Sequence, residues 1–373
     1  VNVEQIIILL VIGYLIFVFD INRKNLPVTV ILLIIGIALS FIPYFNDINL
    51  TNELVYSIFL PGLLFISAYQ FSARALKKHR FVIGFLSTIG LILTVGLLGI
   101  IIYSFSFYFV SISILSALLL AAILTPTDPV SVVSVLKTSS NNPDIANIVD
   151  GESMINDGTS IVLFTVLLDM YTRNESFHFF DFIKSFFFVS FGGIILGLIV
   201  GWSLSKLVHL FNERYYQVML SIVIAYGSFH LAEHFGFSGV LATVTAGILL
   251  SWEFEHTNRT DHYLEKLNAF WGVVEPSLLS LLFLLIGIEA APYLIHDYWF
   301  YVIIIFIASI LVVSGTIKLF SKMDHIDLKQ SIIIAWSGIK GTMSIFLLLT
   351  LSINLDSNLE LIVKIGFQLL FYL

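Results

Sequence analysis

Residues 111–137 read SISILSALLLAAILTPTDPVSVVSVLK. The run is apolar on both sides of its centre, where Thr125, Pro126, Thr127, Asp128 and Pro129 interrupt it. Two prolines so close together remove two backbone donors and disfavour helix at the residues before them. The spacing predicts one helix that unwinds at Pro126 and restarts at Pro129. Asp128 then stands at the N-cap, with proline at the first helical position, and its carboxylate faces the positive end of the half-helix dipole. A second run, residues 329–351, is broken by Gly338 and Gly341 on either side of Lys340. A break there leaves C-terminal carbonyls of the first half-helix, which a cation complements. Each break falls in the penultimate helix of its half of the chain. Paired interruptions point to a transporter site at the interface of two inverted repeats. A plain kink explains either break alone, but accounts poorly for two that bear ionisable residues of opposite sign.

Composition supports this reading. The chain has 373 residues, 58% of them apolar and 12% charged, and a mean hydropathy of +0.99. Soluble domains carry about 25% charged residues, so 18 basic and 25 acidic side chains could not cover a soluble protein of this size. A soluble enzyme, a nucleic-acid binder and a disordered chain are excluded, and a net charge of −7 offers nucleic acid no partner surface. With no cysteine, there is no disulfide and no thiolate metal site.

Spans in lipid are helices or closed barrels. The apolar runs here are too long and uniform for barrel strands. Thirteen helices are expected, at about 3–20, 27–44, 53–72, 82–105, 111–137, 149–170, 182–210, 215–234, 238–252, 262–290, 298–320, 329–351 and 359–373. The protein is thus expected to be an all-α polytopic membrane protein with two interrupted helices, 111–137 and 329–351. With the N-terminus outside and the C-terminus cytoplasmic, 14 of the 18 basic residues fall in inside loops and one, Arg173, falls outside. That asymmetry follows the positive-inside rule. Residues 72–80 form a short basic connector at the inner surface. Gly193, Gly197 and Gly201 form a ridge for close helix packing, more simply within the chain than at a dimer contact. The chain opens on Val1 and closes in an apolar run, so both ends are expected to be trimmed and a C-terminal tail to be missing.

The chemistry concentrates in residues 150–160, DGESMINDGTS. Glu152, Ser153, Asn156 and Asp157 recur at helical spacing and form one polar stripe. A charge at the bilayer centre costs at least ~2.5 kcal/mol, so a carboxylate retained there is functional by default. Carboxylate, hydroxyl and amide oxygens suit a hard cation such as Na⁺. A carboxylate in a low dielectric holds either a cation or a proton near neutrality. Competition between the two is the core of an exchanger. The bland alternative is that Asp150 and Glu152 merely cap a helix start.

These residues resemble the electroneutral Na⁺/H⁺ exchanger (NhaP/NHE-type) branch of the monovalent cation:proton antiporters. The resemblance rests on residues 59–65 (FLPGLLF), 125–130 (TPTDPV), 151–159 (GESMINDGT), 231–233 (LAE), 237–247 (FSGVLATVTAG), 284–289 (LLIGIE) and 338–344 (GIKGTMS). It implies thirteen helices in two inverted repeats, a homodimer in the plasma membrane, and no cofactor or zinc site. A mobile core, about 82–170 and 298–373, would move against a dimerisation part, about 1–72 and 182–290. Asp157 would carry Na⁺ (or Li⁺) or H⁺. Ser153 and Thr127 would give coordinating oxygens, and Asp128 would complete the site. Asn156 marks the one-for-one branch, and Glu152 would pair with Lys340. The chain departs from the family at Lys340, where arginine is usual, and at Ile66, where many relatives carry an acid. Lysine is a point charge rather than a planar fork, which weakens the expected pair.

Three rival classes compete with this reading. His230, Glu233 and His234 match an inverted zinc-protease signature, but they lie at the outer end of a helix. An intramembrane aspartyl protease would need Asp128 and Asp157 as a dyad sharing a proton. A cation channel would need a filter-like repeat or charged ring. Among exchangers, K⁺/H⁺ antiport is the alternative, because ligand type does not fix cation size.

Overall fold

A computed structural model describes residues 2–23, 28–45, 55–126, 143–173, 176–209, 214–256, 261–293, 299–320, 342–353 and 357–372. The protein is an all-α polytopic membrane protein. The helices are α1 (Val3–Arg23), α2 (Val28–Ser40), α3 (Leu60–Gln70), α4 (Ala73–Phe85) and α5 (Leu91–Phe109). They continue with α6 (Ile114–Ile123), α7 (Pro143–Thr172), α8 (Phe179–Ser205), α9 (Arg214–His234) and α10 (Gly239–His256). The last are α11 (Asp261–Ala290), α12 (Trp299–Phe320), α13 (Thr342–Ile353) and α14 (Ser357–Tyr372). Single π-helical turns precede α3 (Val55–Phe59) and join α4 to α5 (Leu86–Gly90).

Two boundaries differ from the sequence expectation. The basic stretch 72–80 is not a connector. Ser72 caps α4, its hydroxyl accepting from the Ala75 amide at 3.4 Å, and helix runs on through the π turn to Phe109. Ser72 is a strong N-cap residue at that position, which apolar windows do not register. Likewise α7 is already helical at Pro143, ahead of the expected start near 149.

The helices pack in two sets. In one, α11 lies along α2 and α1, α10 lies on α8, α3 and α9, and α9 also touches α11. In the other, α5 packs on α6 and α12, α4 on α7, α6 on α7, and α14 on α13, α6 and α12. Helix α7 also touches α8, α10 and α3, so it lies where the sets meet. The glycine ridge of α8 is used inside the chain: Gly193 faces Ser238, just before α10, and Gly197 and Gly201 face Ala242 and Ala246 of α10. A side chain at Gly197 would meet the Ala242 Cα at 2.8 Å, so glycine sets the approach of the two backbones.

Helix α6 is short, and α6 and α13 are buried over most of their described length. Helix α6 has 10 residues and α13 has 12. Residues 115–126 and 343–352 are all buried. At 1.5 Å rise per residue α6 is ~15 Å long, about half of a ~30 Å hydrocarbon core, whereas both ends of α13 border residues outside the description. They pack on one another and both pack on α7. The centres of the two interruptions, with Thr127, Asp128 and Lys340, lie outside the described residues.

Candidate functional site

Helix α7 has 30 residues, and Asp157 stands at its midpoint. It lies about 21 Å along the axis from the helix start at 1.5 Å per residue. Helix capping therefore does not explain the polar stripe: Asp150 and Glu152 are already two turns or more inside. Ser153 and Asn156 are buried, 1% and 3% exposed, while Glu152 and Asp157 are half-buried. The i, i+4 spacing stacks Ser153 under Asp157 and Glu152 under Asn156 on adjoining rows of the helix. Glycines flank the stripe where neighbours press closest. Gly151 faces Ile83 and Phe71, and Gly158 faces Leu241 and Val240.

Local hydrogen bonds fix the stripe. The Ser160 hydroxyl donates to the Asn156 side-chain oxygen at 2.8 Å, which orients that amide. The Thr159 hydroxyl donates to the Ser87 carbonyl at 2.6 Å. Ser87 lies in the π turn Leu86–Gly90, where the helical ladder is interrupted and its carbonyl is open to a side chain. The Ser87 hydroxyl in turn donates to the Ile83 carbonyl at 2.7 Å. Thr159, Ser160 and Ser87 received no role from sequence. The first two lie within the polar stretch 150–160, but Ser87 is 72 residues from Thr159 and only the turn geometry marks it.

The end of α6 completes the described surroundings. At the C-terminal end of α6 the Thr125 hydroxyl donates to the Ala121 carbonyl at 2.7 Å. Thr125 and Pro126 are buried, so α6 ends in the interior, and α13 packs on α6. Of the expected site residues, the described region places Glu152, Ser153, Asn156 and Asp157 together on α7.

The zinc-protease signature has a different use. The Glu233 carboxylate accepts from the Gly239 amide at 2.8 Å and so caps the start of α10, while His230 and His234 are exposed.

An all-α membrane bundle with a buried half-length helix against a carboxylate-bearing helix is the architecture of a secondary transporter. The sequence profile described as "Sodium/hydrogen exchanger, transmembrane" matches residues 6–370, and the chain belongs to that family, one of antiporters rather than enzymes. It is 30% identical over 356 residues to the Na⁺/H⁺ antiporter ApNhaP of Aphanothece halophytica, covering 94% of this chain and 67% of that one. It is 32% identical over 359 residues to the low-affinity Na⁺/H⁺ antiporter NhaS1 of Synechocystis sp., covering 92% and 67%. The chain thus spans about two thirds of the length of these relatives. Its fold matches the sodium proton antiporter MjNhaP1 of Methanocaldococcus jannaschii with a TM-score of 0.79 at 19% identity, over 98% of this chain and 92% of that one.

Proposed function

We propose that this chain exchanges Na⁺ for H⁺ one for one by alternating access, with Asp157 as the shared carrier. The observation that carries this reading is the place of Asp157: the midpoint of a 30-residue helix, where two sets of helices meet. Deprotonated Asp157 takes Na⁺ or Li⁺ from one side, with oxygens from Ser153 and Thr127 and with Asp128 completing the site. The bundle 82–170 and 298–373 then moves against a scaffold of 1–72 and 182–290. The cation leaves and a proton returns on the same carboxylate. Asn156 is a neutral amide, so this level of α7 offers one titrating group, and one charge crosses in each direction. Glu152 and Lys340 form a structural counter-charge pair. The names of the relatives support Na⁺ as the cation, and the packing of the helices into two sets supports the division into moving and fixed parts. The scaffold carries a homodimer contact, with the N-terminus outside, the C-terminus cytoplasmic, and the protein in the plasma membrane.

Proton flux in proteoliposomes challenged in turn with Na⁺, Li⁺ and K⁺ tests the reading. Na⁺ and Li⁺ should each drive flux and K⁺ should not. Flux with K⁺ alone makes the chain a K⁺/H⁺ antiporter, and flux with no cation rejects exchange. Asp157→Asn should reduce flux to the level of empty vesicles, because an amide cannot alternate between proton and cation.

A further inference from the structure

Helices α4 and α5, with the π turn between them, form one rod, Ala73–Phe109, of 37 residues. At 1.5 Å per residue the rod is ~55 Å long. Confining it to a ~30 Å hydrocarbon core would take a tilt near ~57°, beyond the usual range of about 0–40°. One end must therefore emerge into the headgroup layer. The polar end is α4. Its sequence, ARALKKHRFVIGF, holds four cations (Arg74, Lys77, Lys78, Arg80) and no acid. Ala73, His79, Val82 and Ile83 are buried against the bundle, while Lys77, Lys78, Arg80 and Phe81 are exposed, Phe81 at 71%.

Aromatic rings accompany these cations. Arg80 lies over the Phe81 ring at 4.8 Å from its centroid, and Lys77 lies over Trp252 of α10 at 5.2 Å. Lys206, at the end of α8, lies over Trp202 at 3.7 Å. The three contacts occupy one end of the bundle. Ser251 of α10 donates to the Phe71 carbonyl just before α4, and Gly201 of α8 abuts Ala246 and Leu249 of α10. Aromatic rings paired with long cationic chains are the composition of the membrane–water interface.

We propose that the exposed face of α4, formed by Lys77, Lys78, Arg80 and Phe81, is a docking surface for anionic phospholipid headgroups of the leaflet into which it emerges. The cations meet the phosphate, and Phe81 enters the acyl boundary beside it. Charge complementarity selects the occupant: Arg74 is paired with Glu255 of α10, and the exposed cations Lys77, Lys78 and Arg80, on a helix that carries no acid, attract anionic lipid over zwitterionic lipid. Because α4 packs on α7, a bound headgroup would hold the helix that carries Asp157 at a fixed depth.

The test reads binding through thermal unfolding of the purified chain in detergent, and needs no ion transport. It therefore stands or falls separately from the exchange reading. Phosphatidylglycerol should raise the melting temperature by several degrees, and phosphatidylcholine should not. The variant K77Q/K78Q/R80Q should melt as the native chain does in phosphatidylcholine and lose the rise. K77R/K78R should keep it. K78Q/R80Q leaves the Lys77–Trp252 contact intact, so it serves as the test should the triple variant fail to fold, and it should lose a measurable part of the rise. A full rise in either glutamine variant overturns the proposal. So does an equal response of the native chain to the two lipids. An equal rise with inorganic phosphate alone also overturns it, since that would mark a free-anion site.

Discussion

At the residue scale, the Thr159–Ser87 hydrogen bond ties the polar stripe of α7 to the π turn of the neighbouring rod. Thr159 is 3% exposed, so removing its hydroxyl leaves the Ser87 carbonyl without this donor in the interior. Thr159→Val should cost about 1–3 kcal/mol, the penalty for an unsatisfied buried acceptor. Thermal unfolding checks this, and Thr159→Ser should restore most of the loss. Asp157→Asn is nearly isosteric and should unfold at the native temperature while failing to exchange. A parallel fall in melting temperature would make Asp157 a structural residue. Sequence alone marked Asp157 and Ser153, because a carboxylate in an apolar run is conspicuous. It did not mark Ser87, whose role depends on a carbonyl freed by the local turn.

At the element scale, the contact between α8 and α10 depends on glycine at three successive turns. Gly197→Leu forces a branched side chain against the Ala242 backbone. Overpacking of this kind costs typically ~1–3 kcal/mol, and here the obstacle is a main chain that cannot rotate away. The variant should melt lower and keep the native oligomeric state, as size-exclusion with light scattering would report. Loss of oligomerisation with native melting would instead place the ridge at a subunit contact. The four-residue glycine spacing was legible in the sequence, but its partner was not. A small-residue ridge fits any close helix, and only the tertiary contacts select α10. The helix start at Ser72 and the helix already present at Pro143 were missed for a related reason: polar and basic turns extend beyond the apolar window that finds a span.

At the scale of the whole molecule, the two sets of helices are joined at the basic end by a defined link. Ser72 donates to Glu255 at 2.8 Å, and the Arg74 guanidinium pairs with the same carboxylate at 3.4 Å. Arg74 also donates to the Glu255 carbonyl at 3.1 Å. The Arg74 side is largely exposed, and a pair open to solvent on one side contributes roughly 0–1 kcal/mol to stability, so Glu255→Gln should scarcely move the melting temperature. If α4 moves relative to α10 during transport, the variant should change maximal exchange rate and leave the half-saturating Na⁺ concentration alone. A change confined to half-saturation would mean that the link shapes the ion site instead. One-for-one exchange moves no net charge, so an imposed membrane potential should leave the initial rate unchanged. A steep voltage response would show unequal stoichiometry.

The sequence by itself determined the class of protein, the apolar spans and the residues worth testing. Those properties follow from local chemistry: a helix in lipid must be apolar over about 20 residues, and the few charges it keeps stand out. The tertiary structure decided the rest. It placed Asp157 at the centre of a 30-residue helix, packed the half-length α6 and the buried α13 beside it, and used the glycine ridge within the chain. It also turned a basic connector into the end of a rod too long for the bilayer. Each of these depends on where a helix stops or on which distant helix it meets, and contacts between residues far apart in sequence fix both.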